Sequence, residues 1–221
     1  MTRLRIVQGV LLLLLSLPSA AHIITINFDN LPVGTLAANA LSAYGIGSVT
    51  SSSGSIPASV YDANDCPSCG YVPPIGTHKF LITAGGLYPS PQGVFSTTFQ
   101  FDDPTSFFSF EKLGYSVSSV GVAGWQASAY DSANSLVAIV GVGFAAGLDF
   151  PPSVTPVPYW LSGSTNIVKV VFESNYNLQS TTGAVYIGNL QFDNPAIPEP
   201  GTLALLGLGL AGLAASRRRK Q

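Results

Sequence analysis

The residues whose spacing best suits chemistry are two cysteines, Cys66 and Cys69, separated by two positions. Such a pair performs thiol–disulfide exchange when it opens a helix inside a strand–helix–strand unit. The surrounding sequence lacks that pattern, so we interpret the pair as a structural disulfide closing a small loop, as an oxidising compartment would favour. Redox activity and a metal site are the alternatives. Zinc would need two further ligands, and only His78 is near in sequence.

An acidic cluster precedes the cysteines and consists of Asp62, Asn64 and Asp65. An EF-hand calcium loop needs Gly at its sixth position and Glu at its twelfth, where this chain has Pro67 and Pro73. The EF-hand is therefore excluded. A looser Ca²⁺ site joining Asp29 and Asp193 would form if the first and last strands lie side by side. The alternative is that both carboxylates are solvated turn residues, and no other cofactor is expected.

The sequence offers little for hydrolysis. It has no Gly-x-Ser-x-Gly motif, and His22 and His78 are its only histidines, so a base for a catalytic triad is hard to find. Glycosidases use two positioned carboxylates, but no spacing selects a pair from the candidates. Those candidates are Asp102, Asp103, Glu111, Asp149 and Glu173. We therefore predict no catalytic residues and a non-enzymatic protein, with a secreted polysaccharide-active hydrolase as the alternative.

Aromatic side chains offer a binding chemistry instead. Exposed aromatic rings with polar rims form ligand sites, and flat rings suit the faces of sugars. The candidate platforms are Tyr115, Trp125, Tyr130, Tyr159, Trp160 and Tyr176. The alternative is that these rings belong to the core.

The elements that position these residues lie in 22–196, which we interpret as one domain. Runs of β-branched and aromatic residues alternate there with Gly, Pro, Ser and Asn, which predicts eight to ten antiparallel strands. The fold class is therefore all-β, an antiparallel two-sheet sandwich. In 93–101, Phe95, Thr97, Phe99 and Phe101 should face inward; in 166–173, the inward residues should be Val168, Val170 and Phe172. Residues 45–91 are predicted to be long loops with one or two short strands.

Turn residues refine this prediction. Asp131 to Asn134 should turn a strand back, so that 125–130 pairs with 135–140. Bulges are expected at Gly124 and at Gly188-Asn189.

Charge is concentrated at the two ends of the chain. Six of the nine cationic residues are terminal, so 22–196 has three lysines, no arginine and ten carboxylates. A protein that binds phosphate backbones needs clustered Lys and Arg. Nucleic acid is therefore excluded as a partner.

Residues 1–21 have the three parts of a secretion signal: Arg3 and Arg5, an apolar run over 6–17, and small residues before a predicted cleavage after Ala21. The implied partners are the Sec translocon and signal peptidase. The alternative is an uncleaved anchor, although the run is shorter than the ~20 apolar residues that span a bilayer.

Residues 197–221 contain Pro198-Glu199-Pro200, an apolar stretch over 203–215, and Arg217, Arg218 and Arg219. The stretch predicts a short transmembrane helix of about 20 Å, against a hydrocarbon core of about 30 Å. The basic cluster should stay in the cytoplasm, which leaves Pro-Glu-Pro facing the exported domain.

This order of tripeptide, Gly-rich helix and Arg cluster resembles the PEP-CTERM sorting signal. The resemblance implies a Gram-negative bacterium that makes exopolysaccharide, and an exosortase that cleaves near Pro-Glu-Pro. The protein would then reside transiently in the inner membrane before reaching the cell surface or extracellular matrix, in contact with envelope or exopolysaccharide through weak carbohydrate binding. An ordinary C-terminal anchor is the alternative.

A looser resemblance concerns the ends of the domain. The segments 27–30, Asn-Phe-Asp-Asn, and 189–194, closing on Phe-Asp-Asn, are similar to the ends of the middle domain in many exported proteins with this tail. The whole domain resembles jelly-roll, carbohydrate-binding-like sandwiches, which implies a jelly-roll type for the predicted fold.

Overall fold

The computed structural model describes residues 22–53, 55, 57–65, 71–72, 76–84, 93–115, 122–141, 148–149, 156–176, 184–194, 207 and 209–210. The chain divides into two compact units, Ile23–Asn194 and the combined termini Met1–His22 and Pro195–Gln221. Residues 207, 209 and 210 are helical. Among the described residues, no helix has the length and apolar character needed to cross a membrane. The predicted signal peptide lies outside the described residues, as do the Pro-Glu-Pro and Arg cluster of the tail.

The described residues form twelve strands and few helices, so the predicted all-β class is confirmed. The strands are β1 His22–Ile26, β2 Ile46–Ser51, β3 Ser59–Asp62, β4 Tyr71–Val72, β5 Lys79–Thr83, β6 Gly93–Lys112, β7 Gly114–Tyr115, β8 Val122–Tyr130, β9 Leu136–Gly141, β10 Leu148–Asp149, β11 Val157–Tyr176 and β12 Val185–Asn194. The helices are α1 Ala37–Leu41 and the 3₁₀ turns Phe28–Asn30, Ser42–Tyr44 and Ala63–Asp65.

The segment predicted as long loops contributes four strands, β2 to β5, so that prediction is wrong. Ser, Gly and Pro are typical of loops, but the short strands between them have fully buried inward residues, such as Val60 and Leu81. These two residues lie opposite each other in the β3–β5 pair.

Ten of the strands belong to one sheet with the order β10-β8-β11-β6-β12-β5-β3. In addition, β1 pairs with β12, β2 with β6 and β9 with β8, while β4 and β7 form a separate two-stranded sheet. The long strands β6 and β11 pair antiparallel over most of their length.

The prediction of two separate sheets is wrong, because the long strand β6 runs through both layers of the fold. Phe99 and Phe108 both lie on β6, yet their ring centroids are 6.4 Å apart. Nine residues of straight strand would separate them by about 30 Å. The paired strand β11 shows register shifts between Ser162 and Ile167 and again before Lys169, where the ladder bends. One continuous sheet therefore folds back on itself to form two facing layers, as strands that turn corners do. The jelly-roll type stays a prediction.

The main core fills the space between the layers with aromatic and aliphatic side chains. Its fully buried rings include Phe28, Phe99, Phe108, Phe110, Trp125, Phe172 and Phe192. A smaller cluster contains Phe80, Ile82, Leu113, Ala184 and Tyr186. Tyr186 belongs to the small cluster and its neighbour Ile187 to the main one, so β12 carries apolar side chains on both faces.

The predicted alternation of β6 is confirmed, because Phe95, Thr97, Phe99 and Phe101 are all buried. In β11, Val170 and Phe172 are buried as predicted, but the inward assignment of Val168 is wrong. Ile167 is fully buried instead. The register shift next to Ile167 reverses the alternation at this point.

The predicted hairpin is confirmed, with Ala127 opposite Val140 and Tyr130 opposite Leu136. Asp131 stabilises the turn, since its Oδ1 accepts the N–H groups of Ala133 and Ser135, each at 2.9 Å.

One of the two predicted bulges is present. The register of β12 shifts between Ile187 and Leu190, which confirms the bulge at Gly188-Asn189. The bulge at Gly124 is wrong, because Gly124 pairs with Asn175 in regular register. The ladder between β8 and β9 is irregular between Ala129 and Tyr130, where β9 contains the extra residue Val137.

Candidate functional site

The candidate site is a polar surface around one exposed indole, on the outer side of β11, β6, β12 and β1. We call it the Trp160 face. It is lined by Trp160 from β11, Ser109 and Glu111 from β6, Asn189 and Gln191 from β12, and Thr25 from β1. The intervening residues Phe108, Phe110 and Leu161 are buried in the core, so strand alternation turns the lining residues outward.

Trp160 dominates this surface. Its side chain is 61% exposed, although tryptophan is usually well covered in folded proteins. It lies opposite Ser109 in the β11–β6 ladder, and the polar groups of the face surround it. An exposed aromatic ring with a polar rim is the arrangement expected of a ligand site.

The neighbouring Tyr159 points the other way. Its ring stacks on Phe110 with centroids 5.5 Å apart and meets the edge of Trp125 at 5.0 Å. Trp125 is 1% exposed. The hypothesis of a sugar platform at Trp125 is therefore wrong, since strand pairing places that ring in the core, and Tyr159 packs against the same core.

The other candidate platforms have different surroundings. The ring of Tyr130 is covered by Lys169, whose Nζ lies 4.6 Å from the ring centroid. This is a cation–π contact on the outer side of β8 and β11. Tyr115 and Tyr176 lie at strand ends, in β7 and β11.

The bulge in β12 delivers Asn189 to the Trp160 face. Ile187 and Leu190 both belong to the main core although they are three positions apart. In a regular strand, Asn189 would share the inward side of Ile187, but the extra residue of the bulge re-aims it outward. Asn189 Nδ2 then donates to Glu111 Oε2 at 3.1 Å. This bond joins β12 to β6 on the outer surface and fixes the orientation of both side chains.

The site is shallow. Its volume of about 130 Å³ is small beside the 300–1,000 Å³ typical of pockets that enclose a drug-sized ligand. Such a surface can contact one side of a ring without enclosing it.

The two aspartates predicted as a calcium site have separate partners. Asp29 Oδ1 accepts the backbone N–H groups of His78 and Lys79 at 2.8 and 2.9 Å. Among the residues described by the structure, no group of three or more His, Cys, Asp or Glu side chains could hold a metal ion. The calcium site stays a prediction, and at Asp29 a cation would compete with two N–H donors.

Asp193 lies 6% exposed at the end of β12, against the bend of β6. Its carboxylate accepts the hydroxyl of Thr105, the N–H of Ser106 at 2.7 Å, the hydroxyl of Ser106 at 2.6 Å and the N–H of Phe107 at 3.3 Å. Burial alone would raise the pKa of Asp193, but these hydrogen bonds outweigh it and lower the pKa below its ordinary value. The carboxylate thus binds the bend of the long strand.

Cys66 and Cys69 lie outside the described residues, so the disulfide and its alternatives stay predictions. Of the carboxylates considered for hydrolysis, Glu111 bonds Asn189, and Glu173 accepts a hydrogen bond from Gln126 Nε2 at 2.6 Å.

Sequence reasoning missed the pairing of Glu111 with Asn189. Two signals were present: the Gly188-Asn189 bulge, and the alternation that turns Ser109 and Glu111 away from Phe108 and Phe110. Combining them required knowledge that β12 lies beside β6.

Comparison with known proteins identifies the C-terminal tail. The family model described as the PEP-CTERM protein-sorting motif matches residues 196–220, which include Pro198-Glu199-Pro200 and the Arg cluster. The predicted sorting motif is thereby confirmed. It marks an exported protein that an exosortase processes and that is sorted to the cell envelope. No curated protein sequence matches the chain.

Three solved structures are similar to this chain at low sequence identity. The K2 cleaved adhesin domain of Lys-gingipain is similar with a TM-score of 0.50 and 8% identity, over 77% of this chain and 99% of that one. The K1 cleaved adhesin domain of Lys-gingipain from Porphyromonas gingivalis has a TM-score of 0.41 and 11% sequence identity, over 77% of this chain and 97% of that one. A mutant of CBM29-2, a family 29 carbohydrate-binding module, has a TM-score of 0.38 and 14% sequence identity, over 78% of this chain and 91% of that one. The K2 similarity indicates a shared β-sandwich fold.

Proposed function

We propose that this PEP-CTERM protein, an exosortase substrate sorted to the cell envelope, is a non-enzymatic surface or matrix protein that contacts carbohydrate through the Trp160 face. The observation that carries the proposal is the 61% exposed indole of Trp160 among hydroxyl, amide and carboxylate groups. A flat indole can stack on the apolar C–H face of a sugar ring while the surrounding groups bond its hydroxyls.

The shape of the site supports weak rather than tight binding. A shallow surface with one aromatic ring covers only part of a sugar, and the energy of those contacts must offset the entropy lost on association. A polymer offers many copies of the same ring, so repeated weak contacts can hold the protein within an exopolysaccharide. This suits a protein that passes through the inner membrane and then remains at the surface or in the extracellular matrix.

The number of carboxylates on the Trp160 face favours binding over hydrolysis. Glycosidases of the common kinds use two carboxyl groups flanking the scissile bond. Within the described lining of the Trp160 face, Glu111 alone carries a carboxylate.

Affinity electrophoresis of the exported protein in gels containing host exopolysaccharide tests the proposal. The wild type should be retarded, and Trp160→Ala should migrate as in a gel without polysaccharide. The matched control is Leu136→Ala, which trims a 56% exposed apolar side chain on β9. It should be retarded like the wild type, and all three proteins should give the same far-UV spectrum. Retardation of Trp160→Ala equal to the wild type would refute the proposed site. Release of reducing ends from the polysaccharide would support the hydrolase alternative instead.

A further inference from the structure

We infer that the Trp160 face selects neutral carbohydrate chains and rejects chains that carry uronate or sulfate groups, with Glu111 as the selecting residue. The inference rests on the proposed function and concerns the same surface. It follows from where the structure places Glu111 and the three lysines of the domain.

Glu111 is held at the rim beside Trp160. It lies on β6 opposite Pro158, two residues before Trp160 on β11. Asn189 Nδ2 donates to its Oε2 at 3.1 Å, which leaves the carboxylate further lone pairs, because a carboxylate can accept about four hydrogen bonds. An ionised carboxylate only accepts hydrogen bonds. It therefore suits the O–H donors of a neutral sugar and repels a second anion brought to the same place.

No arginine is available to offset that repulsion, since residues 22–196 contain none, and they contain only three lysines. Lys79 Nζ donates to the carbonyl oxygens of Asp29 at 3.0 Å and Leu31 at 2.7 Å. Lys169 Nζ donates to Asn134 Oδ1 at 2.5 Å and covers the ring of Tyr130.

The third lysine, Lys112, follows Glu111 directly, but strand alternation turns it to the other side of β6. It is 7% exposed, and its Nζ lies 5.5 Å from the ring centroid of the buried Trp125. All three lysines thus lie elsewhere, and acidic chains are usually bound through Arg or Lys.

The remaining groups of the face are neutral. Asn189 and Gln191 offer amides, and Thr25 offers a hydroxyl, each able to donate and accept. These groups suit the hydroxyls of a hexose. Ten carboxylates against three lysines also give the whole domain a negative field, which slows the approach of an anionic polymer at low salt.

The experiment compares uronate-containing polysaccharides with their own carboxyl-reduced forms, which keep the linkages and remove the charge. The exported protein is tested against a panel of such pairs by affinity electrophoresis. The reduced form of a bound pair should bind at least about tenfold more tightly than its acidic parent, because like charges brought together at a binding site disfavour the wrong partner. Glu111→Gln keeps the shape and should bring the two affinities together. Glu173→Gln removes the same charge outside the face and should leave the difference unchanged.

The outcomes separate this inference from the proposed function. Equal binding of an acidic parent and its reduced form, with both lost in Trp160→Ala, overturns the selection by charge and leaves the carbohydrate site standing. Binding to no member of the panel, or binding that Trp160→Ala does not change, overturns both. A persistent difference in Glu111→Gln shows that Glu111 is not the selecting residue.

Discussion

The rings of Phe110 and Phe172 meet edge to face with centroids 4.9 Å apart. In the ladder, however, Phe172 of β11 lies opposite Thr97 of β6, thirteen positions before Phe110. A straight strand would hold those positions about 40 Å apart. The contact therefore exists only because β6 and β11 fold back together, and it joins the two layers that the bend creates.

Replacing Phe172 with alanine should remove this junction. The ring centroid of Phe172 also lies 5.3 Å from that of Phe99 and 6.1 Å from that of Phe108. The cavity that the alanine variant leaves would therefore lie between the two layers. We expect a loss of roughly 3–5 kcal/mol in the free energy of unfolding, as for other buried Phe→Ala changes. Urea denaturation measures it. The control Val94→Ala, at a 52% exposed position, should stay within about 0.5 kcal/mol of the wild type. Equal losses in both variants would contradict the assigned layer contact.

Much of the strand pattern followed from sequence because alternation is a local property. The inward face of 93–101 and the turn at 131–134 were both predictable in this way. The continuity of β6 was not, because Asp102-Asp103-Pro104 looks like a turn that separates two strands. The chain stays extended through the bend, where Thr105 pairs with Ile167 and Asp193 binds the residues that follow. Those partners are 62 and 88 positions away and leave no local signal.

The candidate site was predictable only in part. From the sequence, both tryptophans were candidate platforms, because exposed aromatic rings with polar rims form ligand sites. Trp125 is buried because it lies on the inward side of β8 together with Ala127 and Ala129. Trp160 is exposed because it alternates with the inward Tyr159 and Leu161 on β11. The contact between Glu111 and Asn189 spans 78 positions and depends on strand order.

Gly141 at the end of β9 should tolerate no side chain. Its φ is +129°, and a Cβ there would lie 2.5 Å from the carbonyl oxygen of Trp125 and 2.7 Å from the Cα of Gln126. These are backbone atoms of the paired strand and cannot move aside. Gly141→Ala should therefore lower the free energy of unfolding by at least about 1–3 kcal/mol, the usual cost of a strained backbone.

Thermal denaturation provides the measurement, with Gly34→Ala as the control. Gly34 also has a positive φ, +81°, but a Cβ there would have no atom within 4 Å. Gly34→Ala should lower the free energy of unfolding less than Gly141→Ala, because it adds backbone strain without a steric clash. If Gly34→Ala proves as damaging as Gly141→Ala, the close approach of β8 is not the cause.

Asp193 should make stability depend on pH in acid. Its pKa is lower in the folded protein than the value of about 3.9 expected in the unfolded chain. The unfolded state therefore binds the proton more readily. The stabilisation is complete above the unfolded-state pKa and is lost as the pH falls through the folded-state pKa. Urea denaturation at pH 7 and at steps below pH 4 should show this loss in the wild type.

The variant Asp193→Asn isolates that contribution. It should be less stable at pH 7, by roughly 1–3 kcal/mol, because it weakens charge-assisted bonds to the bend of β6. Below the folded-state pKa the difference from the wild type should shrink. The control is Asp103→Asn, at an exposed position of β6. Its stability should equal that of the wild type at every pH. A constant difference between Asp193→Asn and the wild type across the acid range would show that the carboxylate charge is not involved.

Processing of the C-terminal tail should be visible in the mass of the exported protein. As a helix, the apolar stretch 203–215 would be about 20 Å long, short for a permanent span, and the positive cluster after it favours the cytoplasmic side. The predicted topology would present Pro198-Glu199-Pro200 to an exosortase on the outer side. We expect the intact mass from the native host to lack residues 217–221, and Glu199→Ala to retain them because the recognition tripeptide is broken. Glu173→Gln, a change within the β-domain, should be processed like the wild type. A wild-type mass that retains Arg217, Arg218 and Arg219 would mean that the tail serves as a lasting anchor.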